Sequence, residues 1–430
     1  MKKNTYLFLF SLILITFQAT AQHGNILNGI GAVNYGMGGT STGNPSDMMG
    51  AIYWNPAALT DFKNSELTLS GTRLGSTSVF SGTVPTPAGP ASGSVTSDAS
   101  ASIVPSLAYL FAPADSKWRF AISAFGMAGF QTEYGAGSTN PLMAPAPIGL
   151  GPTIEEEYAL VQIGLTSTYA INDQLSIGIT PTLNIAAISG TPFLAVDPDF
   201  DQMGNAYYPG VESDNALGFG VQIGLFYRSE SGFSAGFSYK TKQSFEDFEL
   251  ETIPTAPGAT SRTENFNVDL PSIISLGVGY TADKWKATID TRFIGFENAD
   301  GLGPVGYGPL GRALGFGWDN IFVLATGFQY SITDKLPIRV GYSYSSNPVD
   351  EAEVIYSLAA PSTGEHGIHF GLGYSFTEKV GADVSYFLGV ANNVEGPLIF
   401  PTGTVPGASV ATELETSFIS LNLTYRFIRQ

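Results

Sequence analysis

Few side chains in this sequence have the type and spacing for chemistry. It holds three histidines, His23, His366 and His369, and no cysteine. His366 and His369 are three residues apart, so on one strand they face opposite sides and cannot share a metal ion. No Ser/His/Asp set, phosphate loop or HExxH segment is present. The residues therefore point away from an enzyme, with no metal and no other cofactor. What remains is isolated charge and aromatic surface. Arg292 and Lys240 fall on the same strand face as their polar neighbours, and Asp290 lies two residues from Arg292 on that face. A fixed cation in a low-dielectric interior could hold a carboxylate. A structural Arg292–Asp290 pair is the simpler role. Phe226 and Phe387 share the inward parity and could line a path for apolar solutes or pack against an internal segment.

The elements that must position these residues read as strands. From Ile368 to Thr377, one parity gives Ile368, Phe370, Leu372, Tyr374 and Phe376; the other gives His369, Gly371, Gly373, Ser375 and Thr377. Ile419, Leu421, Leu423, Tyr425 and Phe427 likewise oppose Ser420, Asn422, Thr424 and Arg426. Such rows suit a lipid face and a lumen face. Ile321, Val323 and Ala325 oppose Phe322 and Leu324, a strand apolar on both sides. Short polar turns ("APADSK", "IND", "SES", "TAD", "TDK", "TEK") alternate with long Gly/Pro/acid-rich stretches near 76–100, 131–153, 191–214, 241–269, 297–317, 346–365 and 391–414. That alternation predicts an all-β, fourteen-stranded antiparallel transmembrane β-barrel over 63–430, with both termini on the short-turn side. A soluble sandwich alternates too, but does not require this regular succession of short and long connections.

Compartment follows from the start of the chain. Lys2 and Lys3, the apolar run "YLFLFSLILITF" and "ATA" make residues 1–21 a signal peptide cleaved after Ala21. No later run suits a membrane-spanning helix. Mean hydropathy is nonetheless positive, +0.12, and a closed barrel is the other structure a membrane admits. The expected location is the bacterial outer membrane. A formal charge of −18 argues against nucleic-acid partners. Lipid and lipopolysaccharide are the expected surroundings of a monomer. The acidic runs "EEE" (155–157), "DPDFD" (197–201), "EDFELE" (246–251) and "DEAE" (350–353) read as solvated outer surface, where divalent ions could bridge them to headgroups. The apolar loop "TNPLMAPAPIGLG" reads as a landing groove for solute or as loop packing.

Residues 22–62 lie outside the strand count. They are glycine-rich and carry one charge, Asp47, before Asp61. Low charge and apolar content favour a compact plug over a disordered leader. Within them, "NPAAL" (Asn55–Leu59) sets a proline that drives Asn55 into an extended conformation.

"NPAAL", "LPSIISLGVGYTADKWKATIDTRF" (Leu270–Phe293), "RVGYSYSSNPV" (Arg339–Val349) and "GLGYSFTEKVGADVSYFLG" (Gly371–Gly389) together resemble the FadL/TodX outer-membrane transporters over essentially the whole mature chain. That resemblance implies a barrel plugged by an N-terminal hatch and passive uptake of hydrophobic molecules, long-chain fatty acids or aromatic hydrocarbons. It also implies sideways release into the bilayer beside a kinked third strand. On it, Asn55, Pro56 and Ala57 become hatch residues, and Gly126 and Gly129 in "KWRFAISAFGMAGFQTEY" become the kink, unless they are filler beneath a bulky neighbour. A general diffusion porin for polar solutes is the alternative.

Overall fold

The computed structural model describes residue 24 and residues 26–145 and 149–428. The expected signal peptide, residues 1–21, lies outside them. Fourteen strands close a ring by antiparallel pairing. They are β1 (Ser65–Thr86), β2 (Ser102–Phe111), β3 (Trp118–Tyr134), β4 (Ile154–Ala170), β5 (Leu175–Thr191), β6 (Ala216–Arg228) and β7 (Phe233–Lys240). The second half comprises β8 (Ser272–Thr281), β9 (Trp285–Gly295), β10 (Ile321–Thr333), β11 (Leu336–Ser345), β12 (His366–Ser375), β13 (Val380–Gly389) and β14 (Gly403–Phe427). Neighbours in sequence are neighbours in the wall, and β14 returns to β1 from Ser65↔Phe427 to Thr83↔Ser409. The ring has no free edge strand, so the ladders satisfy most of the wall's backbone without water.

The side-chain period of two sorts the wall into faces. Leu421 is 58 % exposed and its neighbour Asn422 is 4 %. Outside, apolar side chains meet lipid. Inside, hydroxyls pair across strands, as Thr68 does with Thr424 at 3.1 Å and Thr166 with Thr180 at 2.9 Å. Ile321, Val323 and Ala325 are fully buried on the inner face. Aromatic rings collect at the short-turn end: Trp118 stacks on Phe120, Trp285 on Phe328, and Tyr425 meets Phe427 edge-on. Rings with a polar handle suit the interface between hydrocarbon and water.

The long connections hold more strand than their composition suggested. β1 runs on to Thr86 and turns into a second strand, Gly89–Thr96; Asn392–Phe400 pairs likewise with the outer part of β14. These hairpins stand beyond the lipid, where no apolar face is needed and alternation disappears. The acidic runs are not uniformly solvated. Glu156 is buried between exposed Glu155 and Glu157, and Asp199 is buried in an ion pair with Arg262. Phe248 and Leu250 bury the alternate positions of "EDFELE". In each case strand parity or a cation draws one residue of the run inward.

Residues 26–62 fill the bore. From Ile26 to Leu59 every residue except Ser46 and Asp47 is buried. Helix α1 (Gly31–Gly36) ends in Gly38 and Gly39, whose φ values of 71° and 77° only glycine adopts without cost. Asp47 caps α2 (Met48–Trp54) through the Gly50 amide. Asn55 then accepts from the Ala57 amide at 3.1 Å and opens the 3₁₀ turn Pro56–Asp61, with Pro56 where its missing N–H costs nothing. The "NPAAL" stretch is thus a capped turn that hands the chain from the hatch to β1.

Candidate functional site

The hatch lies against a track of wall glycines. One or two per strand face it on β5, β6, β7, β8, β10, β11 and β12: Gly178, Gly224, Gly236, Gly277, Gly279, Gly327, Gly341 and Gly371. All sit in the short-turn half of the wall. At all but Gly371, where the fit is merely tight, an added Cβ would collide with hatch atoms: Ala57 at Gly178, Asn55 at Gly224, Thr42 at Gly236, Gly43 at Gly277, Gly38 at Gly341. The segment from α1 to the 3₁₀ turn therefore touches the wall backbone to backbone, at a distance no larger residue permits.

On β9, between the glycines of β8 and β10, a carboxylate takes their place. Asp290 accepts from the amides of Ser41 and Thr42 at 2.7 Å each and of Gly43 at 3.2 Å. Arg292 donates to the Gly39 carbonyl at 2.7 Å and to Asp290 at 3.2 Å, with its guanidinium 3.6 Å from the centroid of the Trp54 ring. Lys240 stands over Tyr53 at 4.9 Å. Asn55 donates to the carbonyls of Thr42 at 2.9 Å and Leu225 at 3.1 Å. Thr168 donates to the Pro56 carbonyl and Ser176 to that of Ala57. Arg228 pairs with Asp61 and reaches Asn44 at 2.9 Å. The cations singled out in the sequence thus lie in one cluster with the hatch. Phe226 is buried in the same half of the wall, and Phe387 stacks on Phe418 at 4.6 Å beside Leu27 and Tyr35.

The wall parts between β2 and β3. β2 and β3 pair only from Ser106↔Phe125 to Phe111↔Phe120, although β3 continues to Tyr134. β3 carries a bulge between Gly126 and Ala128, where its register against β4 shifts by one residue; the shifted register then continues through Gly129, opposite Ala159. Pro105 supplies no amide for a ladder here. The strands part above Ser106 and leave a cavity of about 230 Å³. Its lining runs from Leu27 and Tyr158 on the inner side to Ala159 and Val161 on the lipid face. Val104 covers Gly126, where an added Cβ would overlap its methyl group.

A second cavity lies under the outer loops. Phe193, Phe266, Phe316, Ile355 and Tyr356 line it, from four separate loops, with Leu150 and Glu156. Burial, then the Glu353 carboxylate, pushes the Tyr356 hydroxyl above the ordinary phenol range, so it stays protonated. Sequence reading passed over this set because loop aromatics carry no period. The stretch "TNPLMAPAPIGLG" divides: Leu142 packs onto Gly82 of β1, Leu150 lines the cavity, and 146–148 lie outside the described residues.

Residues 12–427 match the family model described as outer membrane protein transport protein (OMPP1/FadL/TodX). No curated protein matches the chain. Among solved structures, the Pseudomonas putida toluene transporter TodX superposes with a TM-score of 0.68 at 18 % identity, covering 94 % of this chain and 100 % of its own. A Pseudomonas aeruginosa FadL homologue gives 0.67 at 14 % identity, covering 94 % and 100 %. The Ralstonia pickettii toluene transporter TbuX gives 0.64 at 15 %, covering 94 % and 99 %. At such identities the likeness concerns the fold.

Proposed function

The chain belongs to the OMPP1/FadL/TodX family of outer membrane transport proteins, and from that premise we propose that it is a hatch-gated channel for passive uptake of hydrophobic molecules. Solute enters between the outer loops and rests in the apolar cavity beneath them. It then passes the hatch region and leaves sideways into the bilayer between β2 and β3. The observation that carries this reading is the parting of those two strands beside a filled bore. Its lining, with Leu27, Leu74, Val104, Leu160 and Val161 among a few polar side chains, joins lumen to lipid, so an apolar solute never has to cross bulk water. A bore filled by residues 26–62 leaves no wide aqueous path, which opposes the general-porin alternative.

In this reading Asn55, Pro56 and Ala57 anchor the hatch, and the bulge at Gly126 shapes the exit. Arg292 and Lys240 hold hatch backbone and rings, and Phe226 and Phe387 pack the bore. The test is proteoliposome flux. Labelled aromatic hydrocarbon and fatty acid should reach the vesicle membrane faster than in empty vesicles, while sugar-driven swelling stays at background. Rapid swelling with sugars would overturn the reading.

A further inference from the structure

Glu156 is the one residue of the outer cavity whose chemistry the transport reading leaves unused. It sits on the inward face of β4 and is 6 % exposed. Among the described residues its Oε1 has no hydrogen-bond partner. The reason lies in its two cross-strand neighbours. On β3 it faces Thr132, whose hydroxyl is donated to the Ala359 carbonyl. On β5 it faces Gly190, which has no side chain. Neither neighbour supplies a donor, and the cavity's other described lining residues include no lysine or arginine. A buried acceptor left unpaired costs about 1–3 kcal/mol. Such a cost persists only where the surroundings or a ligand make use of it.

We propose that this cavity recognises a compact apolar molecule bearing a hydrogen-bond donor, of the phenol or alcohol class, whose hydroxyl is donated to Glu156 while Phe193, Phe266 and Phe316 enclose its hydrocarbon part. The inference rests on the channel reading and narrows its substrate. A fatty carboxylate is disfavoured at this position because it meets a negative rim: Glu133, Glu155, Glu157 and Glu212 border the neighbouring outer depression that Glu156 shares. Apart from Glu156 and the Tyr356 hydroxyl the lining is apolar, which suits the hydrocarbon part of such a solute.

The test uses the full-length protein purified in detergent, with calorimetric titration of three probes of one shape: 4-ethylphenol, ethylbenzene and 4-ethylbenzoate. A hydrogen bond to a buried carboxyl predicts that 4-ethylphenol binds about tenfold tighter than ethylbenzene. 4-Ethylbenzoate should bind weakest. Glu156→Leu should abolish the advantage of the phenol while keeping ethylbenzene binding; Glu156→Gln, which keeps a carbonyl acceptor, should retain part of it. Heat-modifiable gel migration reports that each variant still folds. Equal binding of benzoate and phenol, or an unchanged phenol-to-hydrocarbon ratio in Glu156→Leu, would overturn the proposal. Ethylbenzene flux into proteoliposomes is measured alongside. Flux without donor preference sinks this inference alone, whereas donor preference without flux sinks the channel reading and leaves the site standing.

Discussion

The amide of Leu27 donates to the carbonyl of Met127 at 3.2 Å, which bonds the start of the hatch to the bulge of β3. The carbonyl of Leu27 in turn accepts from the Tyr53 hydroxyl at 2.9 Å, and Tyr53 packs edge-on against Trp54, the ring that covers Arg292. A contiguous set of contacts therefore leads from the wall anchor on β9, through α2, to the strand beside the parting. A shift of α2 has to pull on Leu27, and Leu27 lies in the lining of that parting. Tyr53→Phe removes one link of about 1 kcal/mol and little volume. We expect more frequent opening events in planar-bilayer recordings, with unchanged gel migration. Recordings indistinguishable from wild type would separate the hatch from the bulge.

Asp290 is the strongest single hold on the hatch, since three amides and a guanidinium converge on it. Asp290→Ala leaves Arg292 as a buried charge without its partner, a loss of about 3–5 kcal/mol. The hatch should loosen and conductance should rise. Replacing both residues with apolar ones, Asp290→Leu with Arg292→Met, should be milder, because no orphan charge remains. If the double replacement conducts more than the single one, the ion pair is not what fixes the hatch.

The glycine track makes a prediction about size alone. Gly236→Ala would drive a methyl group into the Thr42 carbonyl, whose own amide is held by Asp290. Overpacking of this kind costs about 1–3 kcal/mol. Proteolysis of the hatch from the short-turn side should accelerate in this variant. Gly71→Ala, where nothing lies within 4 Å of the added carbon, serves as the matched control and should leave the rate unchanged.

Asn55 ties three elements at once: Thr42 in the hatch, Leu225 on β6 and the first turn after Pro56. Asn55→Ala, alone or with Pro56→Ala, should free the hatch without unfolding the barrel. Losing the cap alone costs about 1 kcal/mol. Raised conductance at unchanged gel migration is the expected result; unchanged conductance together with unchanged substrate uptake counts against a gating role.

What could be read in the sequence was what lipid enforces. A wall with hydrocarbon on one side must alternate, so Ile368–Thr377 and Ile419–Phe427 declared themselves as strands. Beyond the membrane that pressure ends, and Gly89–Thr96 and Asn392–Phe400 were hidden among glycine, proline and acid. The hatch was legible as a compact segment through its lack of charge. Its seat was not, because one inward glycine per strand means nothing until Gly236, Gly277 and Gly341 are set side by side. Arg292 and Asp290 were legible as a pair, but the backbone carbonyl and amides they hold come from about 250 positions away in the chain. Glu156 was lost inside an acidic run, although the parity of Ile154, Glu156 and Tyr158 pointed it inward.

The parting between β2 and β3 yields the most direct test of sideways exit. Val104 already covers Gly126, and the two strands are unpaired beyond Ser106 and Phe125. Gly126→Leu places a branched side chain in that space without touching the hatch, and the backbone there needs no positive φ. Val104→Ala does the reverse and thins the cover. If solute leaves through this gap, hydrocarbon flux into proteoliposomes should fall at least severalfold in Gly126→Leu. In Val104→Ala it should hold or rise, while planar-bilayer ion conductance, which reports the bore, stays the same in both. A drop in flux accompanied by a matching drop in ion conductance would place the exit along the bore. Wild-type flux in Gly126→Leu would remove the gap from the route altogether, since the unpaired stretch between β2 and β3 would then be filled.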